Sequence, residues 1–324
     1  MGNDLTDSSS VSATEAKQRA WLVAFLKRLA KEKPLGTIGL VITLILLLTG
    51  IFADFIAHYG MNETWVGEPL SPPSAQFWFG TDSVGRDVFS RVVYGARISV
   101  IVGLTGAVLS TIVSTIIGVS SGYFGGKFDL IMQRTVDTMM CIPTLILLMV
   151  FSSIIGAGLW TVIGILGVFY GIPGSRIIRS AVIAIKENAY VSSAVAIGSS
   201  PSRLIFKHIL PNIMPILILL VTVRVPAMVM AEASLSFLGF GIPPPTPSWG
   251  GMLSGTGRSY MFQAPWMALW PGFALSVVVF GVNMFGDAVR DLLDPRLRGG
   301  AGRFSGGVKK KAATIDERMP QKDV

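Results

Sequence analysis

Charged residues are scarce in this 324-residue sequence: they make up 14% of it, whereas apolar residues make up 51%. A soluble chain of this length would distribute more charge over its surface, around one or two apolar cores. The first 20 residues are polar and lack the apolar stretch of a cleavable signal peptide, so we expect the N-terminus to be retained. The composition therefore predicts an integral membrane protein.

Cysteine and histidine are also nearly absent. The single cysteine, Cys141, can form neither an intrachain disulfide nor a cysteine-based zinc site. The closest approach to a phosphate loop, residues 121–128, lacks the first glycine of that pattern and the Ser/Thr after its lysine. We therefore expect no metal, no cofactor and no nucleotide on this chain.

Six apolar stretches approach the length of about 20 residues that a helix needs to cross a bilayer. They are 35–57, 98–122, 138–157, 158–176, 213–231 and 266–286. The third and fourth share the glycine-rich joint 155–158, so one interrupted block is the alternative there. The sequence thus predicts an all-α, polytopic protein with six transmembrane helices.

The distribution of lysine and arginine orients these spans. Six lie in residues 1–34, two in 123–136, four in 177–212 and nine in 289–324, against three in 58–97 and one in 240–265. The positive-inside rule then places both termini in the cytoplasm. His58 and His208 fall on opposite sides of the bilayer and cannot act as a pair. Because no basic patch contains interleaved aromatic residues, the net charge of +8 indicates topology rather than binding of nucleic acid.

Four regions follow from this topology. Residues 1–34 are a cytoplasmic segment, 35–97 the first span with an external segment, 98–298 a core of five spans, and 299–324 a basic cytoplasmic tail. In the first region an interfacial helix on anionic membrane lipid is predicted, with apolar Trp21, Leu22, Phe25, Leu26 and Leu29 opposite Lys27, Arg28, Lys31 and Lys33. In the second, the i,i+4 pairs Asp82–Arg86 and Asp87–Arg91 favour a short amphipathic helix over residues 80–97.

The cytoplasmic stretch 187–212 has the pattern of two helices joined at a fixed angle. A helix reaching Ile197 meets Gly198, a natural stop, and Ser200 with Pro201 has the pattern of a cap and first turn of a second helix that Pro211 closes. Its surface has few charges, which suits a helix in a partner's groove. A loop packed on its own bundle is the alternative.

This stretch resembles the EAA loop of ABC-importer permeases. Ala194, Gly198 and Leu210-Pro211 match that pattern, whereas Ser192 replaces the usual glutamate, Ser193 the first alanine and His208 an isoleucine. Over residues 35–298 the chain is similar to the C-type subunit of the dipeptide/oligopeptide permease family. The similarity lies in Gly80-Thr81-Asp82, Gly85-Arg86-Asp87, Tyr94-Gly95-Ala96-Arg97, Gly122-Tyr123-Phe124-Gly125-Gly126, Leu235-Ser236-Phe237-Leu238-Gly239, Gly286-Asp287 and Asp294-Pro295.

The resemblance implies a type I ABC-importer permease in the bacterial inner membrane. It also implies four partners: a homologous second permease, two cytoplasmic ATPases and an external substrate-binding protein. The pore subunit would have no catalytic residues and would move di- or oligopeptides inward. Its ATPase-coupling positions would be Ser192, Ala194, Gly198, Ser200, Pro201, Arg203, Leu210 and Pro211. A nickel, metallophore or glutathione importer of the same type, a self-sufficient secondary transporter and a membrane enzyme remain as alternatives.

Three ionisable residues fall at membrane depth: Arg224 and Glu232 in the fifth span, and Asp137 at the cytoplasmic start of the third. Such groups are costly in hydrocarbon and need polar partners. Arg224 and Glu232 are separated by about 12 Å of helical rise and a rotation of about 80°, so we do not expect a simple pair. They form either a polar pore face or gate, or ion pairs that fix the bundle within or between subunits.

Overall fold

The computed structural model describes residue 24 and residues 26–293, and every regular element in that part of the chain is helical. An isolated bridge between Thr81 and Asp87 is the one β-type contact there. The predicted basic tail 299–324 and the start of the N-terminal segment lie outside the described residues. The all-α prediction is confirmed.

The helices, numbered along the chain, are α1 (Pro34–Ile51), α2 (Ala53–Ile56), α3 (Val88–Phe124), α4 (Gly126–Met140), α5 (Thr144–Ile155), α6 (Leu159–Lys186), α7 (Ala189–Ala196), α8 (Pro201–Arg203), α9 (Leu210–Phe237), α10 (Trp249–Leu253), α11 (Gly255–Ser259) and α12 (Trp266–Leu293). A π-helix, Leu204–Ile209, joins α8 to α9 without a break. Five helices are long and apolar enough to cross a membrane: α1, α3, α6, the continuous helix Pro201–Phe237, and α12.

The third predicted span is a broken one. Its helix α5 covers only Thr144–Ile155, and α4 before it is bent away by 89°. Pro143 explains the break, because the residue before a proline is driven out of the helical region. The 12 residues of α5 rise about 18 Å, less than the ~30 Å of a bilayer core. The sixth span therefore exists only if α4 and α5 are counted together.

The glycine-rich joint at 155–158 separates two helices. Helix α5 ends at Ile155, Gly156 adopts φ +103°, and α6 begins at Leu159. The stretches 138–157 and 158–176 are therefore not one interrupted block within a single helix. Helix α6 also extends ten residues past its predicted end, to Lys186.

The most extensive helix contact joins α3 and α6. It depends on small residues, since a Cβ on Gly118 would lie 2.6 Å from the Ser175 carbonyl oxygen. Where lipid tails surround the protein, such close backbone approach is the main source of packing energy. A core cluster that includes Val102, Leu166 and Met228 then brings α9 onto the same pair of helices. These three helices position the polar residues at membrane depth.

The external segment 80–97 is not one amphipathic helix. Helix α3 begins at Val88, and Asp87 caps it by accepting a bond from the Ser90 backbone N–H at 2.8 Å. Arg86 does pair with Asp82, at 2.6 Å, but within a turn. Asp87 is occupied as a cap, and Arg91 lies 3.8 Å from Asp82 instead. Two glycines with positive φ, Gly80 and Gly85, make this turn possible.

The described part of the N-terminal segment is helical but packs partly on the bundle. Leu29, predicted to face lipid, is 1% exposed and contacts Ala288 and Leu292 of α12. Lys33 donates to Asp291 at 2.6 Å. Trp21, Leu22 and Phe25 lie outside the described residues. The cationic side chains Lys27 and Lys31 are exposed, as a helix at a lipid surface requires.

Candidate functional site

The stretch 187–212 forms an elbow outside the long helices. Helix α7 ends at Ala196, and Gly198 adopts φ +81°, which L-residues with a side chain rarely tolerate. The Ser200 hydroxyl accepts from the Arg203 backbone N–H at 3.4 Å, and Pro201 is the first residue of the next helix. The predicted stop, cap and restart therefore lie where the sequence indicates.

One face of the elbow is packed on the bundle. Val191, Ala194 and Leu204 are buried against Tyr123, at the end of α3, and Ile185, at the end of α6. Lys186 also donates to the Tyr123 carbonyl oxygen at 2.7 Å. Among the predicted coupling residues, Ala194 therefore points inward. The elbow is therefore in direct contact with the ends of α3 and α6.

The opposite face is apolar and uncovered in this chain. Ile197 is 84% exposed and Phe206 is 71% exposed, and Tyr190 and Val195 extend the patch. The predicted residues Ser192, Arg203 and Pro211 are also exposed, while Leu210 is half-buried. Phe206 was not predicted for this surface. The available signal was that polar and charged residues stand close to it in the sequence. An apolar helix surface of this kind is typical of a docking site for another protein.

The sequence predicted that Pro211 closes the second helix, and this prediction is wrong. The helix that begins at Pro201 runs on to Phe237 through the π-helix Leu204–Ile209. A proline has no N–H and its ring clashes with the carbonyl four residues earlier, and a wider π turn relieves both problems. The second helix of the elbow and the fifth span are therefore one continuous helix.

Arg224 lies at the middle of α9 and points into the bundle. Its guanidinium donates to the hydroxyls of Ser110 at 3.0 Å, Thr111 at 3.4 Å and Ser114 at 2.9 Å, all on α3. It also lies on Gly174 of α6, where a Cβ would be 1.5 Å from Nη2. A single side chain thus connects three membrane helices.

Glu232, two turns further along α9, is 1% exposed. Ser236 donates to its carboxyl at 2.7 Å, and Ser248 also bonds to it. The Ser236 oxygen accepts in turn from the Ile242 backbone N–H at 3.1 Å. Glu232 therefore fixes the loop that follows α9. It does not pair with Arg224, in agreement with the sequence prediction.

Asp137 belongs to a set of ionic contacts between α4 and α6. It pairs with Arg176, and Arg134 lies 3.5 Å from it. Asp129 forms a second pair with Arg179, and Ser121 and Gln133 join that cluster. We had not predicted Asp129, although Asp129, Gln133 and Asp137 recur at i, i+4 and i+8 and so share one helix face. That spacing was the signal for a clamp between two helices.

Comparison with known proteins matches a region that contains the elbow, Arg224 and Glu232. Residues 114–299 match a protein-family model described as binding-protein-dependent transport system inner membrane component. The chain is 37% identical over 278 residues, 86% of its length and 90% of the relative's, to the oligopeptide transport system permease protein OppC of Bacillus subtilis (strain 168). It is 38% identical over 278 residues, with the same coverage, to the dipeptide transport system permease protein DppC of Alkalihalophilus pseudofirmus. A putative peptide transport system permease protein of Brucella suis biovar 1 is 40% identical over 261 residues, 81% of this chain and 88% of the relative.

Proposed function

The chain belongs to the family of binding-protein-dependent transport system inner membrane components, and from that membership we propose that it is the permease subunit of an ABC importer for di- or oligopeptides. The observation that supports the substrate class most directly is the similarity to oligopeptide, dipeptide and peptide permeases over most of both chains. The chain is a multi-pass membrane protein with five or six spans. It supplies one half of the pathway and hydrolyses no ATP itself.

The elbow 187–212 is the segment that an ATPase subunit contacts and moves when it hydrolyses ATP. Its apolar outer face, centred on Ile197 and Phe206, suits a groove on a cytoplasmic ATPase, and its inner face is packed on α3 and α6. Because the second elbow helix continues into α9, a rotation imposed on the elbow also turns the fifth span. The contact surface includes the exposed residues Ser192 and Arg203. Its angle is fixed by Gly198, Ser200 and Pro201.

The partners are the subunits that supply what this chain lacks. A homologous second permease completes the pore, two cytoplasmic ATPases bind ATP and Mg²⁺, and an external binding protein delivers the peptide. The elbow supports a cytoplasmic ATPase partner, since it carries an uncovered apolar face on the lysine- and arginine-rich side.

Both termini lie in the cytoplasm, because the lysine- and arginine-rich segments share one side of the membrane. Thiol labelling in intact cells tests this orientation after Cys141, which is exposed, is replaced by serine. Ser74→Cys should react with an impermeant reagent, and Ser202→Cys should react only after the cells are permeabilised. Reaction of Ser202→Cys in intact cells would reverse the orientation.

The three ionisable residues at membrane depth hold the bundle together. Asp137 fixes α4 to α6, Glu232 fixes the external loop to α9, and Arg224 joins α3, α6 and α9. In this interpretation they maintain the relative positions of helices that the elbow moves.

Uptake by cells that lack this chain tests the proposed function. Deletion should abolish accumulation of labelled di- or tetrapeptides and leave uptake of nickel and glutathione unchanged, and the restored gene should recover peptide uptake. Loss of nickel or glutathione uptake with normal peptide uptake would assign the importer to a different substrate.

A further inference from the structure

Arg224 has no acidic partner in the part of the chain that the structure describes. Its three hydrogen bonds go to neutral hydroxyls. The acidic groups near the membrane interior are otherwise engaged: Asp129 with Arg179, Asp137 with Arg176, and Glu232 with Ser236. A full positive charge therefore lies roughly 20 Å from either end of α9, by the 1.5 Å rise per residue. A charge at that depth is a marker of a substrate or ion pathway.

The hydrogen bonds leave one edge of the guanidinium unused. Both Nη1 protons are taken, by Ser110 and Thr111, and Nη2 donates once, to Ser114. Of the five N–H groups of arginine, Nε–H and one on Nη2 remain without a partner among the described residues. Two parallel N–H groups are the arrangement that receives both oxygens of a carboxylate. The residue is half-buried, so part of its surface stays open.

The hydroxyls of α3 hold the guanidinium in place, and the bare backbone of Gly174 leaves room for it. A permanent ion pair would not need such a neutral support, whereas a ligand that arrives and leaves does. We propose that Arg224 is a transient binding site for the terminal carboxylate of a peptide as it crosses the membrane. This inference rests on the proposed function, since it takes its ligand from the peptide substrate class.

A carboxylate built into the chain beside Arg224 should compete with the peptide's own. Ser114→Asp places one next to Nη2, and Ser114→Asn has nearly the same size without the charge. The two variants are compared with each other in the complete complex, reconstituted with its ATPases and binding protein. The ratio of their peptide transport rates then measures the effect of the charge alone. We expect Ser114→Asp to carry a peptide with a free C-terminus about tenfold more slowly than Ser114→Asn.

A peptide with an amidated C-terminus provides the second arm. The two variants should carry the amide at equal rates, and both should retain the second permease in the purified complex. Equal rates for the free acid, or the same slowing for acid and amide, would overturn the proposal. Loss of the second permease from Ser114→Asp alone would overturn it in favour of an acidic residue of that subunit as the partner of Arg224. If the wild-type complex carries no peptide at all, the proposed function fails instead.

Discussion

At the scale of single residues, the close approach of Gly174 to Arg224 is the most demanding contact in the bundle. A side chain at position 174 would occupy the space of the guanidinium, since its Cβ would lie 1.5 Å from Nη2 and 2.7 Å from the Ser114 hydroxyl. The arginine could not withdraw without losing its three hydroxyl bonds at membrane depth. The position therefore requires glycine because of space, and not because of backbone conformation.

Gly174→Ala should destabilise the protein, and Gly164→Ala is the matched control on the same helix. A Cβ at Gly164 would meet nothing within 4 Å, so its replacement should be neutral or slightly stabilising, as for most helical glycines. Overpacking at Gly174 should cost about 1–3 kcal/mol. Thermal unfolding of the purified complex measures the difference. Equal melting temperatures for the two variants would mean that Arg224 is not held against α6.

Sequence reasoning identified Arg224 and Glu232 as polar residues at depth but not their partners. Ser110 and Ser114 precede Arg224 by more than 100 residues, and no local pattern links them. Which helix faces which is decided by tertiary packing, here by the small residues between α3 and α6. Asp129 is different, because its spacing with Gln133 and Asp137 is a local pattern that places all three on one helix face.

At the scale of elements, proline and glycine determined where the predictions succeeded. Gly156 and Gly198 end helices as expected, since both adopt positive φ. Pro143 and Pro211 gave opposite outcomes: the first breaks the third span, and the second is absorbed by a π-helix. The sequence does not distinguish these cases, because a π turn depends on neighbouring helices that stabilise the longer segment. In the external segment 80–97, charge spacing favoured a helix where two glycines and a capping aspartate form a turn.

The angle of the elbow depends on Gly198, which should tolerate asparagine but not valine. No atom lies within 4 Å of a Cβ at this position, so only backbone conformation is affected. Asparagine enters the left-handed region with little strain, whereas a β-branched residue does so at a cost of about 1–3 kcal/mol. Gly198→Val should insert and pair with its sister permease, yet lose ATPase subunits or hydrolyse ATP without transport. Gly198→Asn should remain coupled.

Retention of the ATPases and the ratio of peptide transported to ATP hydrolysed distinguish the two variants. Normal coupling in Gly198→Val would remove the elbow angle from the mechanism. Ser192 stands where related loops have glutamate, and we expect the missing carboxylate to make this subunit the weaker of two ATPase contacts. Loss of ATPase from Gly198→Val should therefore be partial, with the contact through the second permease retained.

At the scale of the whole molecule, the fold connects the elbow to the residues at membrane depth. The elbow contacts the ends of α3 and α6 and is continuous with α9, and those three helices meet at Arg224. The N-terminal segment and α12 form a separate contact through Leu29 and Lys33. An ATPase acting at the elbow would thus move the central helices relative to the α1–α12 pair.

ATP-driven uptake of a labelled peptide into proteoliposomes tests the central claim most directly. The vesicles contain this chain, its sister permease and both ATPases, with the binding protein added outside and ATP enclosed. We predict uptake that requires every component and that falls to background with Gly198→Val but not with Gly198→Asn. Peptide uptake by this chain alone, driven by an ion gradient and indifferent to ATP, would contradict the assignment as an ABC-importer permease.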